Sequence, residues 1–277
     1  MTATVPAMRG VQQVQSPAMP AARPPMGSPR PVHLRVVDEP NLTRNTCQHC
    51  ALNSTCLPEG LTVESREAFT ALIFHHKRLQ AGQALFRVGE AFHNLYFVKT
   101  GSLKTMVLMD DGREQVTGFH LAGDVLGVDA ISFSTHSSEA VALEDTYVCA
   151  IPFVQLSHMS QRVESLQTYV QRLLAREVVR DQGLLLLLGR MQADERVAAF
   201  LLNLSKRFAA RGYSPLEFTL SMAREEIGNY LGLTLETVSR CFSRLKNAGV
   251  LRVENRRIRI LNPDALQQVI GGRETVH

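Results

Sequence analysis

The 277-residue chain has no apolar run long enough to span a bilayer. Its longest purely aliphatic stretch, residues 184–188, is five long, whereas a transmembrane helix needs roughly 18 or more. The first 30 residues carry no long apolar core and are repeatedly broken by proline, so no cleavable signal peptide is expected in them. A soluble, cytoplasmic protein with no membrane partner is the expectation. At 45% apolar and 20% charged residues the chain is neither collagen-like nor wholly disordered, and it can bury one large or two ordinary cores. No Gly-x-Gly-x-x-Gly loop follows a strand pattern, no second cysteine cluster exists, and the remaining His, Asp and Glu form no catalytic spacing. An enzyme is the weakest class, and no catalytic residue is assigned.

Proline and glycine are unevenly spread. Eight of the twelve prolines lie in the first 40 residues, where no helical or strand period survives, so residues 1–44 read as a disordered tail. Between residues 80 and 130, short apolar or alternating runs are punctuated by seven glycines. Residues 95–101 and 147–151 read as strands by their aromatic and β-branched content. Turn signals this close together predict an antiparallel roll or barrel, placed in a domain over 45–154.

No proline occurs from 154 to 191 and apolar residues recur at helical spacing, which predicts one helix of more than 30 residues, assigned to 155–190. Gln171, Leu174, Val178, Asp181, Leu185 and Leu188 follow a 3,4,3,4,3 spacing on one face, while Leu166, Val170, Leu173 and Leu184 point elsewhere. The first set predicts a homodimer seam and the second a face laid on the roll; a helix buried in one domain shows the same two-sided apolarity. In a seam, two Asp181 carboxylates meet near the two-fold axis and oppose dimerisation unless another interaction offsets them. Such a dimer is switchable.

Between residues 219 and 260 eight Arg or Lys stand against four acids, a surplus equal to the net charge of +4 on the whole chain. A basic cluster favours a polyanion through counterion release, although basic faces are also common as solvated surface. Here a short helix from about Met222 runs to a Gly232 turn, and a second helix starts behind Thr234, the pattern of a helix-turn-helix. Val238, Phe242 and Leu245 face the core, so Glu236, Ser239 and Arg240 point outward together. Arg can pair bidentately with guanine, Glu can accept from cytosine N4, and Ser can reach a base or a phosphate. Thr237 and Ser243 are assigned to phosphate. After Gly249, residues 250–253 and 257–260 predict a two-stranded wing, completing a winged helix over 191–277. Similar modules also bind proteins, but charge, turn and wing together favour double-stranded DNA.

Three of five cysteines crowd into Cys47-Gln-His-Cys50-Ala-Leu-Asn-Ser-Thr-Cys56, a C-x2-C-x5-C cluster that suggests metal in a cytosolic chain. An iron–sulfur cluster or a zinc ion needs a fourth ligand, for which Cys149, Cys241 and His49 are candidates. Cys149 is preferred because it lies on the last strand of the roll, at an edge the N-terminal loop could reach. A thiol-redox pair with a spare thiol is the third reading of the same residues.

From Cys47 to about Leu266 the chain resembles the fumarate and nitrate reduction (FNR) regulators, oxygen-sensing members of the catabolite activator protein superfamily. The resemblance is carried by Cys47, Cys50, Cys56 and the distant Cys149, by Thr117-Gly-Phe-His-Leu-Ala-Gly-Asp124, and by Ile227-Gly-Asn-Tyr-Leu-Gly-Leu-Thr-Leu-Glu-Thr-Val-Ser-Arg240. It implies an α+β fold: an N-terminal antiparallel β-roll like a cyclic-nucleotide-binding jelly roll, a long dimerisation helix, and a C-terminal winged helix-turn-helix. It further implies that the four cysteines hold a [4Fe-4S] cluster that oxygen converts, and that the cluster-loaded homodimer reads TTGAT-type palindromes through Glu236, Ser239 and Arg240. Activation would follow under low oxygen through RNA polymerase.

Some positions depart from the wider superfamily. Cyclic-nucleotide-binding relatives place an Arg-Ser or Arg-Thr pair near the end of the roll to hold the phosphate, yet no Arg or Lys occurs between Arg113 and Arg162. No cyclic nucleotide is expected, and Gly123 and Gly127 are read as structural turn glycines. The loop through which the family touches RNA polymerase corresponds to Asp111, Gly112, Arg113 and Glu114, with Arg113 where an acidic residue is usual.

Overall fold

Short strands separated by glycine turns build the first half of the molecule. The computed structural model describes Cys47, Cys50 and residues 52–73, 75–109 and 111–271, all within one unit, Glu39–His277. The tail expected over 1–44 and the candidate ligand His49 lie outside the described residues. A four-residue helix α1 (Asn53–Cys56) and α2 (Val63–Ala71) precede eight strands: β1 (His75–Leu79), β2 (Ala84–Phe86), β3 (Asn94–Thr100), β4 (Ser102–Leu108), β5 (Glu114–Leu121), β6 (Val125–Leu126), β7 (Glu139–Ala142) and β8 (Thr146–Pro152). They form two antiparallel four-stranded sheets, in the orders β1-β8-β3-β6 and β2-β7-β4-β5. Leu79, Leu85, Phe86, Val98, Leu103, Leu126 and Val148 fill one core of this roll.

Strand β8 is internal, flanked by β1 and β3, and not at an edge as the sequence led us to expect. The cause is β1, whose His-His-Lys-Arg-Leu sequence has no apolar alternation to announce a strand. Such a charged segment suits an edge strand, where it discourages pairing with other chains.

The single helix expected over 154–191 is two: α3 (Phe153–Ser160) and the 27-residue α4 (Glu164–Arg190). Neither glycine nor proline marks the break. Val163 takes an extended conformation (φ −124°, ψ 102°) and packs against the roll core, which redirects the chain between the helices. On α4, Leu166, Tyr169 and Leu173 are buried in that core, as the second apolar face requires. Among the described residues no helix is long and apolar enough to cross a membrane.

The C-terminal part comprises α5 (Ala193–Ala209), β9 (Glu217–Thr219), α6 (Arg224–Leu231), α7 (Leu235–Asn247), the hairpin β10 (Leu251–Glu254) and β11 (Arg257–Ile260), and α8 (Pro263–Ile270). The three strands pair antiparallel in the order β10-β11-β9. Their core joins Val197, Leu201, Ile227, Leu231, Val238, Phe242 and Leu245 to Val116, Phe119 and Leu121 of β5. The observed class is thus α+β: an antiparallel roll, long helices and a terminal winged helix-turn-helix.

Candidate DNA interface and cysteine pocket

Helices α6 and α7 meet at a turn that local chemistry specifies. Gly232 ends α6 in the left-handed region (φ 63°), where a side chain is strained. Gly228 allows close approach, since a Cβ there would meet the Leu233 carbonyl oxygen at 2.6 Å. Thr234 caps α7 by accepting the Thr237 N–H at 3.2 Å. Arg196 of α5 fastens the turn, donating to the carbonyls of Met191, Leu231 and Leu188 at 2.8–2.9 Å.

This geometry buries Val238, Phe242 and Leu245 and leaves Glu236, Ser239 and Arg240 exposed on the opposite face of α7. The backbone around Glu236 and the Thr234 hydroxyl hold the Glu236 carboxyl below the ordinary carboxylate range, so it stays an acceptor. The two residues assigned to phosphate already have local partners. The Thr237 hydroxyl lies 3.0 Å from that of Thr234, and Ser243 donates to the Ser239 carbonyl at 2.9 Å.

Part of the basic cluster is also paired. Arg244 forms a two-pronged bridge to Asp194 at 2.7–3.1 Å, Arg252 pairs with Glu254, and Arg257 and Arg259 both face Glu217. Arg224 stacks over the Phe242 ring with its guanidinium carbon 3.3 Å from the centroid, and burial lowers its pKa to about 10. The wing itself forms as expected, turning at Asn255 (φ 54°).

Cys47, Cys50, Cys56 and Cys149 line one pocket between the N-terminal loop and the face of β3 and β8, walled by Ile73, Phe97 and Ile151, with Lys99 at its side. The loop therefore reaches Cys149 over the sheet face. Burial pushes the Cys56 and Cys149 thiols up to about 12 and raises Cys47 as well, with Lys99 opposing the rise at Cys47 and Cys149. Such thiols are neutral at physiological pH unless a cationic centre binds them. Among the described residues no three His, Cys, Asp or Glu converge closely enough for a single metal ion. Cys241 is far from this chemistry: it is buried in the core of α7 and accepts from Arg244 at 3.3 Å.

On α4, Leu174, Val178, Asp181 and Leu185 are exposed along one stripe, and Val178 and Leu185 are 55% and 70% accessible. Leu188 departs from it. Its side chain packs against the C-terminal core beside Gly232, because the helix end is held there by Arg196. Asp111, Gly112, Arg113 and Glu114 form the exposed turn between β4 and β5, where Arg113 Nε bonds Asp111 at 2.7 Å.

Sequence reasoning passed over several residues whose partners lie outside their own turn or helix. Asp124 is held by Arg207 of α5 and by Arg211 just beyond its end. Asp129 accepts the N–H and hydroxyl groups of Ser137 and Ser138 at 2.9–3.2 Å. Asn229 of α6 binds β5. A carboxylate or amide inside a turn or helix was their only local signal.

The Crp-like helix-turn-helix domain family matches residues 195–269, and the cyclic nucleotide-binding domain family matches residues 76–162. The chain is 44% identical over 230 residues to the fumarate and nitrate reduction regulatory protein of Escherichia coli strain K12, covering 83% of this chain and 92% of that one. The Yersinia pestis protein of the same description is 44% identical over 225 residues, covering 81% and 90%. Among solved structures, FixK2 from Bradyrhizobium japonicum superposes with a TM-score of 0.65 at 34% identity, over 70% of this chain and 96% of that one. With this identity and coverage, the chain belongs to the fumarate and nitrate reduction branch of the Crp/FNR transcription regulators, and its winged helix is a DNA-binding module rather than part of an enzyme.

Proposed function

We propose that the protein is an oxygen-responsive transcription regulator of the cytoplasm, a homodimer active under low oxygen that binds TTGAT-type palindromes and acts mainly as an activator through RNA polymerase. The observation that carries this reading is the meeting of four cysteines from two distant segments in one apolar-walled pocket. Their chemistry fits a [4Fe-4S] cluster. Four thiolates on one zinc ion stand about 3.8 Å apart, as a Zn–S bond of about 2.3 Å requires, whereas ligands to separate irons share a pocket without that convergence. When bound, the cluster supplies the chemistry that reacts with oxygen. Cys47, Cys50, Cys56 and Cys149 would hold it, in a pocket that Lys99 also lines.

The exposed stripe of Leu174, Val178 and Leu185 supports the dimer, Glu236, Ser239 and Arg240 the reading of bases, and the turn at Asp111, Gly112, Arg113 and Glu114 the polymerase contact. The expectation of no cyclic nucleotide rests on the stretch between Arg113 and Arg162, which offers no Arg or Lys to a phosphate.

The test is iron, acid-labile sulfide and zinc content of protein purified without oxygen, with its visible spectrum and sedimentation followed through one exposure to air. About four iron and four sulfide per chain, with a spectrum that changes as the dimer dissociates, is the expected result. Stoichiometric zinc, or no metal with reversible disulfides, would leave a DNA-binding regulator with a different switch.

A further inference from the structure

Strand β5 lies at the edge of its sheet, so one row of its backbone groups has no strand partner. The side-chain amide of Asn229, on α6, takes the place of one. Its Oδ1 accepts the Val116 N–H at 2.5 Å, and its Nδ2 donates to the Glu114 carbonyl at 2.7 Å. Residues 114 and 116 are two apart on a strand, so these groups point the same way, and one planar side-chain amide spans them as the N–H and C=O of a single residue do in a parallel β-ladder. Gln115 returns the contact by donating to the Asn229 carbonyl at 2.6 Å.

Around this clasp the contact between roll and winged helix has two characters. On one side Phe119, Phe200 and Tyr230 pack together, with centroids 5.2–6.0 Å apart. On the other, a cleft of about 500 Å³ opens between the two parts, bridged by Lys104 to Glu226 at 2.7 Å and by Ser102 to Ser221 at 2.7 Å. Apolar contact is non-directional and tolerates sliding; a bidentate amide on a strand edge is satisfied at one position along that edge. The exposed trio on α7 is not covered, so the clasp is compatible with DNA reading.

We propose that Asn229 is a positioning residue that locks the winged helix in register on β5, so that the two recognition helices of a dimer are presented at one fixed separation. This rests on the dimer put forward above. A palindrome is bound as two linked half-sites, and linkage strengthens binding only when both can be engaged at once. Loss of the clasp leaves each recognition helix intact and removes the fixed spacing.

The experiment compares wild type with Asn229→Ala and Asn229→Gln in the full chain prepared without oxygen. Gln keeps the amide but carries it one methylene too far. Amide hydrogen exchange at Val116 is expected to quicken about tenfold in both variants, the loss of one ordinary hydrogen bond. Both variants should bind a duplex with a single half-site as wild type does. They should bind the palindrome about tenfold more weakly, with a smaller penalty when the half-sites are moved one base pair apart. Unchanged Val116 exchange, or unchanged palindrome affinity and spacing penalty despite faster exchange, overturns the proposal. A wild type with no spacing preference would instead bring down the dimer, and Val116 exchange would then decide the clasp alone.

Discussion

The Tyr169 hydroxyl donates a 2.7 Å hydrogen bond to the carbonyl of Cys56. Tyr169 lies on the buried face of α4 with the Phe69 ring packed edge-on at 6.4 Å. Cys56 ends α1, where carbonyls lack intrahelical partners. One bond therefore ties the wall of the cysteine pocket to the helix whose opposite face carries Leu174, Val178 and Leu185. Burial, then the nearby Cys56 thiol, pushes the phenol well above its ordinary value, so it remains a donor at physiological pH.

Tyr169→Phe keeps the ring and removes this bond. The loaded dimer should weaken by about 1 kcal/mol, while iron content and visible spectrum stay those of wild type. Sedimentation equilibrium of both proteins without oxygen measures the difference. Equal dimer constants would show that the bond does not connect the pocket to α4.

Arg240 stands exposed beside Glu236 and Ser239 on α7. Arg240→Ala should cost roughly 1–3 kcal/mol per half-site and relax the choice at the guanine position. Competition binding with half-site duplexes substituted at each base reads both effects. A uniform loss at every base would reassign Arg240 to the phosphate backbone.

Asp129 gives a pH dependence with a definite sign. Burial acts to raise its carboxyl, but the His136 ring and the hydroxyl and N–H groups of Ser138 and Ser137 outweigh it and bring the value from 3.8 to about 2. A carboxyl depressed on folding stabilises the fold fully above its unfolded value and loses that contribution as pH falls through the folded one. The contribution is about 2 kcal/mol, present above pH 4 and fading towards pH 2. Asp129→Asn should lower stability at neutral pH by a similar amount and flatten the acid limb. Urea unfolding across this range provides the check, and parallel acid limbs would contradict it.

Much of this was legible in the sequence because it is local. The turn at Gly232, the cap at Thr234 and the outward trio on α7 follow from helical spacing within about 20 residues. The cysteine spacing marked a pocket, although the position of β8 within its sheet depended on β1, whose polar sequence hides a strand. The break at Val163 had no glycine or proline to announce it, and Leu188 keeps the spacing of the seam while the Arg196 bonds hold its helix end against the C-terminal core. Asn229 and Asp124 were silent for a related reason. Their roles depend on partners 83 to 115 residues away in the chain, and no periodicity encodes those.

Asp181 shares the exposed face of α4 with Leu174, Val178 and Leu185. If that stripe pairs with its copy, residues near the two-fold axis face themselves, and two Asp181 carboxylates repel. Two unit charges about 4 Å apart in water cost about 1 kcal/mol. Asp181→Ala should therefore strengthen self-association of the metal-free protein by about that amount, and the gain should shrink as salt screens the wild-type repulsion. Sedimentation of metal-free wild type and variant at low and high salt tests this. An unchanged monomer–dimer balance at low salt would remove Asp181 from the seam, and an equal gain at both salt concentrations would assign it to packing rather than charge.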